Sequence, residues 1–414
     1  MKSLFLYSHG VPNPDAHTTV DRLAFHYLEA LADRGPVDLL ALVPWAHRHR
    51  PIPPRVTAVC RRIFSFPAPP NLAAAVLSIL RGIPARRPPM LSLKLSGAAA
   101  RWLQAALEKH DYDLLIANSP LAMANLPAPL LASLKTTGAA PRLILATQEV
   151  QWRAWKGYSW KNGRTLGLNI LLHSRFHAWM ARHERQAGRL ADLVLCLSAR
   201  EAESMLLLDP AIRTARIPLF TDTTLFCPDH SLPTEPEILF TGFFGHPPNR
   251  EAAVELTRDI LPRVRAEIPQ ARLHLAGRGV LGLRALAGGP HIRLSESVPS
   301  LAPLYRRAAA VAGLLHTGEG VRGKFLEALA CGCPVVTSPL GASGIEASPA
   351  EGLFIAKSPA EAAALLVNLL RNPAHQALLR PAAAAAMRQS HSIEAWRRTL
   401  DRALEALMSE KPTA

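Results

Sequence analysis

Cysteine is scarce in this chain, which limits the ways in which the fold can be stabilised. Five cysteines occur among 414 residues, and an odd number in so long a chain does not fit the disulfide framework of a small secreted domain. A reducing compartment is therefore expected. Cys331 and Cys333 lie in an apolar stretch, and no second cluster of cysteine or histidine completes a metal site. We expect packed thiols there, and neither a metal nor a cofactor.

Long hydrophobic runs are also missing. No stretch approaches the roughly 18 to 20 apolar residues that a membrane-spanning helix needs. The apolar part of residues 1–10 is too short for a signal peptide and is typical of a buried first strand. We expect a cytoplasmic protein, and any membrane contact is expected to be peripheral, on the inner face of the plasma membrane.

Acidic residues are outnumbered by basic ones. The chain has 32 Asp and Glu against 47 Lys and Arg, a net charge of +15, and much of the excess lies in arginines of the N-terminal half. Nucleic acid, an anionic membrane surface and a nucleotide phosphate would each complement this charge. Because the sequence has no aromatic and basic signature of a nucleic-acid module, we expect no nucleic-acid partner and favour the membrane surface.

Four tryptophans, Trp152, Trp155, Trp160 and Trp179, are interleaved with Arg and Lys. Amphipathic rings beside cations suit a membrane interface or a glycan. Packing of a helix on the sheet explains them more simply and is the favoured interpretation, with the membrane or glycan contact as the alternative.

Hydrophobic residues make up 49% of the chain, enough for two α/β domains of about 200 residues each. Strand and helix patterns alternate in both halves, which predicts two doubly wound parallel sheets. A polar, Pro-punctuated segment separates the halves. We expect an N-terminal domain over residues 1–226, a linker over 227–236, a C-terminal domain over 237–390, and a last helix within 391–414 that crosses back onto the first domain.

Residues 46–91 interrupt this regular spacing. They are rich in Pro and Arg and contain one apolar helix candidate at 71–81. A surface insertion that touches a partner and a solvated excursion of the chain both explain the composition.

The most informative passage covers residues 314–338, with the pattern strand, glycine loop, helix, turn, strand. Gly318 and Gly320 allow close approach of the backbone, and the following helix presents amides suited to phosphate. Arg322 and Lys324 add positive charge. A diphosphate can therefore be bound here without a divalent metal.

Two glutamates in this passage occupy different positions. Glu319 lies in the loop, and Glu327 lies on the helix about one turn beyond Lys324. A loop carboxylate can accept hydrogen bonds from sugar hydroxyls, and a helix carboxylate can accept both hydroxyls of a ribose. A solvated loop residue and a surface ion pair of Lys324 with Glu327 are the alternatives, but the apolar surroundings of Glu327 favour a functional role.

This passage resembles the retaining glycosyltransferases of the GT-B fold, in particular glycosyltransferase family four (group 1) and the sugar transferases of exopolysaccharide clusters. Residues 240–252 and 268–279 add to the resemblance, which covers most of the chain. It implies two Rossmann-like domains facing a cleft. It also implies a nucleotide sugar donor in the C-terminal domain and a glycan or lipid-linked acceptor in the N-terminal domain.

The resemblance implies a role for individual residues on the donor side. Glu327 corresponds to the ribose ligand, Glu319 to the donor-sugar ligand, and Arg322 with Lys324 to the diphosphate clamp. It further implies departure of the nucleotide diphosphate and same-face attack by the acceptor hydroxyl, without a metal or a covalent intermediate. The remaining donor-side positions are Gly318, Gly320, Gly277, Arg278, Gly242 and Asn249.

On the acceptor side, His9 and Gly10 stand where family members often have a glycine loop after the first strand. Asn118 and Ser119 stand where many have a histidine, and residues 217–226 lack the asparagine–glycine turn of many relatives. Two alternatives stay open. One is a nucleotide-sugar epimerase of the same fold, for which no residue argues. The other is a basic glycan- or membrane-binding protein with a decayed donor site, to which the departure at Asn118 gives some weight.

Residues 111–113, Asp-Tyr-Asp, imitate the metal-binding signature of the other main glycosyltransferase fold. They stand at the start of a predicted buried strand, where an aspartate is common. We therefore expect a structural role for them.

Overall fold

The computed structural model describes residues 1–15, 19–44, 47, 49–69, 71–153, 167–229, 235–286 and 288–410, with only the backbone of 167–174. Contacts divide the chain into two compact units. Unit 1 comprises Met1–Ile217 with Leu400–Ala414, and unit 2 comprises Pro218–Thr399. This division precedes the expected linker at 227–236.

The residues directly after the division are hydrogen-bonded within unit 2. His391 Nδ1 lies 2.7 Å from the carbonyl oxygen of Leu219, and the N–H of Thr221 donates to the carbonyl of His391 at 2.8 Å. These bonds explain why residues 218–226 group with the second unit although the sequence pattern of unit 2 starts later.

Unit 1 is built on a parallel sheet of seven strands in the order β3-β2-β1-β4-β5-β6-β7. The central strands are buried from end to end, as expected of a parallel sheet covered on both faces. The strands are β1 (Ser3–Tyr7), β2 (Val37–Val43), β3 (Arg62–Pro67), β4 (Leu114–Ala117), β5 (Arg142–Ala146), β6 (Leu193–Cys196) and β7 (Thr214–Arg216).

The helices of unit 1 fill the connections between these strands. Several begin at a polar side chain that accepts a first-turn N–H, such as Asn71, Ser96, Ser119 and Ser198. They are α1 (Thr19–Ala32), α2 (Pro54–Val59), α3 (Leu72–Gly82), α4 (Pro89–Ser92), α5 (Gly97–Glu108), α6 (Pro120–Met123), α7 (Ala128–Thr136), α8 (Gly167–Leu190) and α9 (Ala199–Leu208).

The Pro- and Arg-rich segment 46–91 contributes to the sheet, which neither sequence interpretation included. Its strand β3 pairs in parallel with β2 along the sheet edge. Arg61 and Arg62 form ion pairs with the buried Asp38 of β2. The ring centroid of Phe64 lies 4.2 Å from that of Trp102. Strand β3 therefore anchors the segment in the sheet. The apolar helix candidate at 71–81 corresponds to α3.

Unit 2 is built on a parallel sheet of six strands in the order β10-β9-β8-β11-β12-β13. The strands are β8 (Glu235–Thr241), β9 (Arg272–Ala276), β10 (Ile292–Ser295), β11 (Ala308–Gly313), β12 (Val335–Thr337) and β13 (Leu353–Ile355). The helices are α10 (Pro247–Glu255), α11 (Leu261–Glu267), α12 (Ala302–Arg307), α13 (Gly323–Ala330), α14 (Pro359–Arg371), α15 (Pro373–Ser390) and α16 (Ile393–Ser409), of which α16 continues into unit 1.

After β8 the helical segment is divided into α10, a π-helical turn at Leu256–Ile260, and α11. Pro262 lies in the first turn of α11 and has no N–H to donate to the preceding turn. A widened turn before a proline is the physical reason for the division.

In each sheet the strand order reverses once, between β1 and β4 in unit 1 and between β8 and β11 in unit 2. Both units are therefore doubly wound, Rossmann-like parallel sheets, and the predicted fold class is confirmed. In such sheets, ligands bind beyond the carboxyl ends of the strands at this reversal. The fold thus locates one candidate site in each unit.

Further sequence expectations concern the cysteines, the tryptophans and membrane-spanning helices. Cys331 and Cys333 are buried free thiols, and Trp152 packs against the core of unit 1. Trp155 and Trp160 lie outside the described residues. Within the described part of the chain, no helix is both long and apolar enough to cross a membrane.

Candidate active site

Three neighbouring strands of unit 2 end in glycine-containing loops. Residues 242–246 follow β8, residues 277–279 follow β9, and residues 314–322 follow β11. Since β8 pairs with both β9 and β11, the three loops emerge side by side at the strand-order reversal.

The first two loops pack so closely that a side chain does not fit between them. A Cβ on Gly277 would lie 2.2 Å from the carbonyl oxygen of Gly242, and the φ of Gly277 is +132°. Gly242 has a φ of +156°, and its N–H donates to the carbonyl of Ala276 at 3.1 Å. Glycine at both positions thus holds the two loops together.

Lys324 connects the β11 loop region to the β8 loop region. Its Nζ donates to Asn249 Oδ1 at 2.6 Å and lies 4.2 Å from the centroid of the Phe240 ring. Asn249 Nδ2 donates to the carbonyl of Phe243 at 2.9 Å, which orients the amide oxygen towards the lysine. A Cβ on Gly242 would lie 3.1 Å from Lys324 Nζ. The three predicted residues Lys324, Asn249 and Gly242 therefore form one cluster with Phe240 and Phe243.

The charge of Lys324 is held in an unfavourable environment. Burial, and then the positive charge of Arg322, lower the pKa of the Lys324 ammonium to about 7, while the Glu327 carboxylate opposes that shift. Because Lys324 and Arg322 are neighbouring cations, the site favours binding of an anion beside them.

Arg322 stands directly before helix α13, and its guanidinium returns to the glycine loop. Nη1 donates to the carbonyl oxygen of Glu319 at 2.6 Å, and a Cβ on Gly318 would lie 3.2 Å from Nη2. Gly318 and Gly320 have φ values of +90° and +84°, which favour glycine. The loop backbone therefore contacts the arginine side chain, and the half-buried Glu319 is part of this loop.

Glu327 lies on α13 and is only 8% exposed, a burial that a surface ion pair does not require. Tyr305 Oη donates to Glu327 Oε2 at 3.4 Å and lies 2.8 Å from Thr241 Oγ1. Burial and then the Glu327 charge raise the pKa of Tyr305 well above its ordinary value. Tyr305 was not among the predicted residues, because nothing near it in the sequence indicates its distant partners.

Arg278 lies beside the same loops. Its guanidinium lies 4.3 Å from the centroid of the Phe243 ring, which is a cation–π contact. Glu296, also absent from the sequence prediction, accepts the N–H groups of Gly279 at 2.6 Å and Leu281 at 3.2 Å. These bonds fix the loop that carries Arg278.

In unit 1 the four predicted acceptor-side residues also come together, at the ends of β1 and β4. Ser8 Oγ lies 2.8 Å from Ser119 Oγ and 3.2 Å from His9 Nδ1. Asn118 donates its N–H to the carbonyl of Leu6 at 3.0 Å, and Gly10 has a φ of +117°.

Asn118 has one further feature at this edge of the sheet. Its Oδ1 is buried and has no hydrogen-bond partner among the residues that the structure describes. Buried polar atoms normally have a partner, so this oxygen is one of the exceptions within the described residues.

Residues 111–113 lie at the opposite, amino end of β4. Asp113 Oδ2 accepts the N–H of Lys2 at 2.6 Å, Asp111 Oδ1 lies 3.3 Å from Lys2 Nζ, and Tyr112 Oη donates to Asp38 at 2.7 Å. These contacts give the tripeptide a structural role. In the described ranges, no group of three or more His, Cys, Asp or Glu side chains is placed to hold a metal ion.

Two family models match the chain, one in each half. The model described as Glycosyltransferase Family 4 matches residues 20–225, and the model described as Glycosyl transferases group 1 matches residues 235–372. The second match contains all the predicted donor-side residues. No curated protein sequence matches the chain.

Solved structures share the fold over nearly the whole chain. Sucrose-phosphate synthase from Thermosynechococcus elongatus superposes with a TM-score of 0.68 and 18% identity, covering 99% of this chain and 100% of its own. HepE from Anabaena gives 0.63 and 16%, covering 98% and 100%. The lipopolysaccharide outer core galactosyltransferase WaaB gives 0.61 and 10%, covering 98% and 99%. With a glycosyltransferase model matched in each half and this fold throughout, the chain belongs to the glycosyltransferases of the GT-B fold.

Proposed function

We propose that the protein is a retaining, metal-independent hexosyltransferase that uses a nucleotide diphosphate sugar as donor. The acceptor is a glycan or a lipid-linked molecule, and the product contributes to a cell-surface polysaccharide or glycolipid. The enzyme works in the cytoplasm, at the inner face of the plasma membrane.

One arrangement carries the proposal, namely two cations at the start of α13 with a buried carboxylate one turn further along the same helix. Arg322 and Lys324 match the charge of a diphosphate, and we assign the buried carboxylate of Glu327 to the two hydroxyls of a ribose. HepE structures with UDP and with UDP-glucose support a nucleotide donor for a chain of this fold.

Glu319 and the glycine loop supply the next part of the donor site. Gly318 and Gly320 keep the loop backbone open to a ligand, and the Glu319 carboxylate accepts hydrogen bonds from donor-sugar hydroxyls. Arg278, stacked on Phe243, lies beside the base. In this assignment each donor-side residue contacts a different part of one nucleotide sugar.

The chemical step breaks the bond between the anomeric carbon and the diphosphate oxygen. The acceptor hydroxyl oxygen bonds to that carbon on the same face, and its proton passes to the departing phosphate oxygen. Arg322 and Lys324 stabilise the charge that develops on the leaving group, a contribution of about 3 kcal/mol for each well-placed donor. Because these groups already supply positive charge, no divalent metal is required.

The acceptor belongs to the edge of unit 1 where β1 and β4 end. His9 and Gly10 shape one side, and Ser119 with the buried Oδ1 of Asn118 forms the other. These groups can donate to and accept from hydroxyls, as glycan recognition requires.

Calorimetric titration with UDP, GDP, ADP and TDP, with and without a chelator, tests the donor site. We expect one nucleotide to bind whether or not the chelator is present. Glu327→Ala should weaken that binding by about tenfold or more, because a charge-assisted hydrogen bond contributes roughly 1.5 to 3 kcal/mol. Glu267→Ala, which removes an exposed partner of Arg371, is the matched control. Absence of binding by the wild type would favour a decayed donor site and refute the proposal.

Product analysis tests the sugar transfer and the retention of configuration. Incubation of the enzyme with the donor and candidate acceptors should yield a glycoside whose anomeric configuration, measured by NMR, equals that of the donor. An inverted product would contradict retention. Conversion of the donor sugar to its epimer without any acceptor would identify an epimerase instead.

A further inference from the structure

The exposed face of helix α3 combines apolar side chains with unpaired positive charge. Leu72, Val76 and Leu80 are 65%, 51% and 57% exposed, and Ile83, directly after the helix, is 50% exposed. Their spacing places them on one side of the helix. Most soluble surfaces carry large apolar residues singly, so a row of four on one helix marks an interaction surface.

The opposite side of α3 is fixed against α4. Ser78 Oγ donates to the carbonyl of Ser92 at 2.7 Å, and a Cβ on Gly82 would lie 2.4 Å from Ser92 Oγ. Because this close contact admits no rotation of the helix, the apolar row is directed outwards by the fold.

Positive charge surrounds this row. Between residues 39 and 107 the sequence contains no Asp or Glu, but nine arginines and one lysine. Arg61 and Arg62 share the single negative charge of Asp38. Arg81, Arg86 and Arg87 are exposed, and within the described ranges none of them forms an ion pair with an acidic residue.

We propose that the exposed face of α3, with Arg81, Arg86 and Arg87, docks unit 1 on an anionic lipid bilayer. The apolar side chains enter the boundary between headgroups and acyl chains, and the arginines contact lipid phosphates. A second copy of this face is a poor occupant, because arginines would meet arginines. A polyanion such as RNA would leave the apolar side chains without a role. This proposal rests on the inner-face location given in the proposed function and names the surface responsible for it. Vesicle binding requires no nucleotide, so docking can fail while donor binding stands, and the reverse.

Sedimentation with vesicles tests the docking surface. The full-length wild type should bind phosphatidylcholine vesicles that contain phosphatidylglycerol about tenfold or more tightly than vesicles of phosphatidylcholine alone, and the difference should shrink at high salt. Equal binding to both vesicles, or binding to neither, would overturn the proposal.

Matched variants locate the surface. Leu72→Gln with Leu80→Gln should weaken binding to the anionic vesicles about tenfold or more, and Arg86→Gln with Arg87→Gln should do the same. Leu207→Gln and Leu378→Gln, which change residues that are 71% and 73% exposed on α9 and α15, are the apolar controls. Arg258→Gln with Arg263→Gln in unit 2 is the charge control. All variants should keep the wild-type unfolding temperature and nucleotide affinity.

Two other results would refute the membrane assignment. If the arginine variant lost binding while the leucine variant kept it, and polyuridylate competed with the vesicles, the face would serve a polyanion. If size-exclusion chromatography with light scattering showed a wild-type dimer that the leucine variant converts to a monomer, a second copy would be the occupant.

Discussion

Lys324 Nζ donates a hydrogen bond to Asn249 Oδ1 at 2.6 Å, although the two residues are 75 positions apart. The bond joins the first turn of α13 to the first turn of α10. A neutral amide oxygen positions the ammonium without cancelling its charge. The positive charge thus stays available to an anionic ligand.

Replacement of that amide by a carboxylate should disable the donor site. Asn249→Asp places a negative charge beside Lys324 and should weaken binding of the preferred nucleotide diphosphate by about tenfold or more, since a like charge near the phosphates opposes them. Asn249→Ala should have a smaller effect. Calorimetry measures both, and Asn368→Asp on the exposed side of α14 is the control for added charge. Wild-type affinity in Asn249→Asp would show that Lys324 does not contact the diphosphate.

The lowered pKa of Lys324 gives donor binding a pH dependence. Its free-state pKa is about 7 because of burial and the neighbouring Arg322, so the lysine is increasingly neutral as the pH rises above that value. A bound diphosphate favours the charged form and raises the pKa. Binding should therefore take up a proton above about pH 7, and the affinity should fall there by up to about tenfold per pH unit.

A nucleotide sugar is the suitable ligand for this measurement, because its phosphates do not titrate in that range. Calorimetry in two buffers of different ionisation enthalpy measures the proton uptake. Lys324→Arg should abolish it, because arginine remains charged, whereas Lys357→Arg at an exposed position should not. The interpretation fails if the wild type binds without proton uptake.

The alternation of apolar strands and helices is enough to predict two doubly wound sheets, because a strand buried on both faces has a continuous apolar pattern. Strand β3 has no such pattern. It lies at a sheet edge and is only partly buried, and prolines and arginines flank it. Its pairing with β2 depends on the tertiary contact of Arg61 and Arg62 with Asp38, which no local pattern contains.

Local spacing also predicts part of the candidate site. Arg322 directly precedes α13, and Lys324 and Glu327 lie in its first two turns, so the proximity of the three residues follows from their spacing along the chain. The Lys324–Asn249 bond and the contact of Tyr305 with Glu327 join different elements. Such contacts arise from the order of strands in the sheet, which brings the ends of β8 and β11 together. Residue spacing along a single sequence does not reveal this strand order, so these two contacts could not be predicted.

Tyr305 should act as a positioning residue for Glu327. Tyr305→Phe removes the hydroxyl that contacts both Glu327 and Thr241, and it should lower nucleotide affinity by about threefold to tenfold, as expected for one hydrogen bond. Tyr112→Phe removes a buried hydroxyl from Asp38 in unit 1 and is the matched control. It should lower the unfolding temperature but leave nucleotide affinity unchanged. Equal affinity losses in both variants would indicate a general destabilisation.

The contact between Gly277 and Gly242 should make the loops at the ends of β8 and β9 intolerant of a methyl group. In Gly277→Ala the new Cβ would meet the Gly242 carbonyl oxygen at 2.2 Å, at a φ of +132° that alanine rarely adopts. We expect a destabilisation of about 2 to 4 kcal/mol, which corresponds to a decrease in unfolding temperature of roughly 4 to 16 °C for a domain of this size.

Gly282→Ala is the matched control, because it lies in the 3₁₀ helix just beyond the same loop and a Cβ there meets nothing within 4 Å. It should leave the unfolding temperature close to that of the wild type. Differential scanning calorimetry measures both variants, and nucleotide titration below the transition separates folding from binding. If Gly277→Ala remains folded, its nucleotide affinity should still fall, since displacement of the Gly242 loop moves the surroundings of Lys324. A folded variant with wild-type affinity would show that the two loops separate without cost to the site.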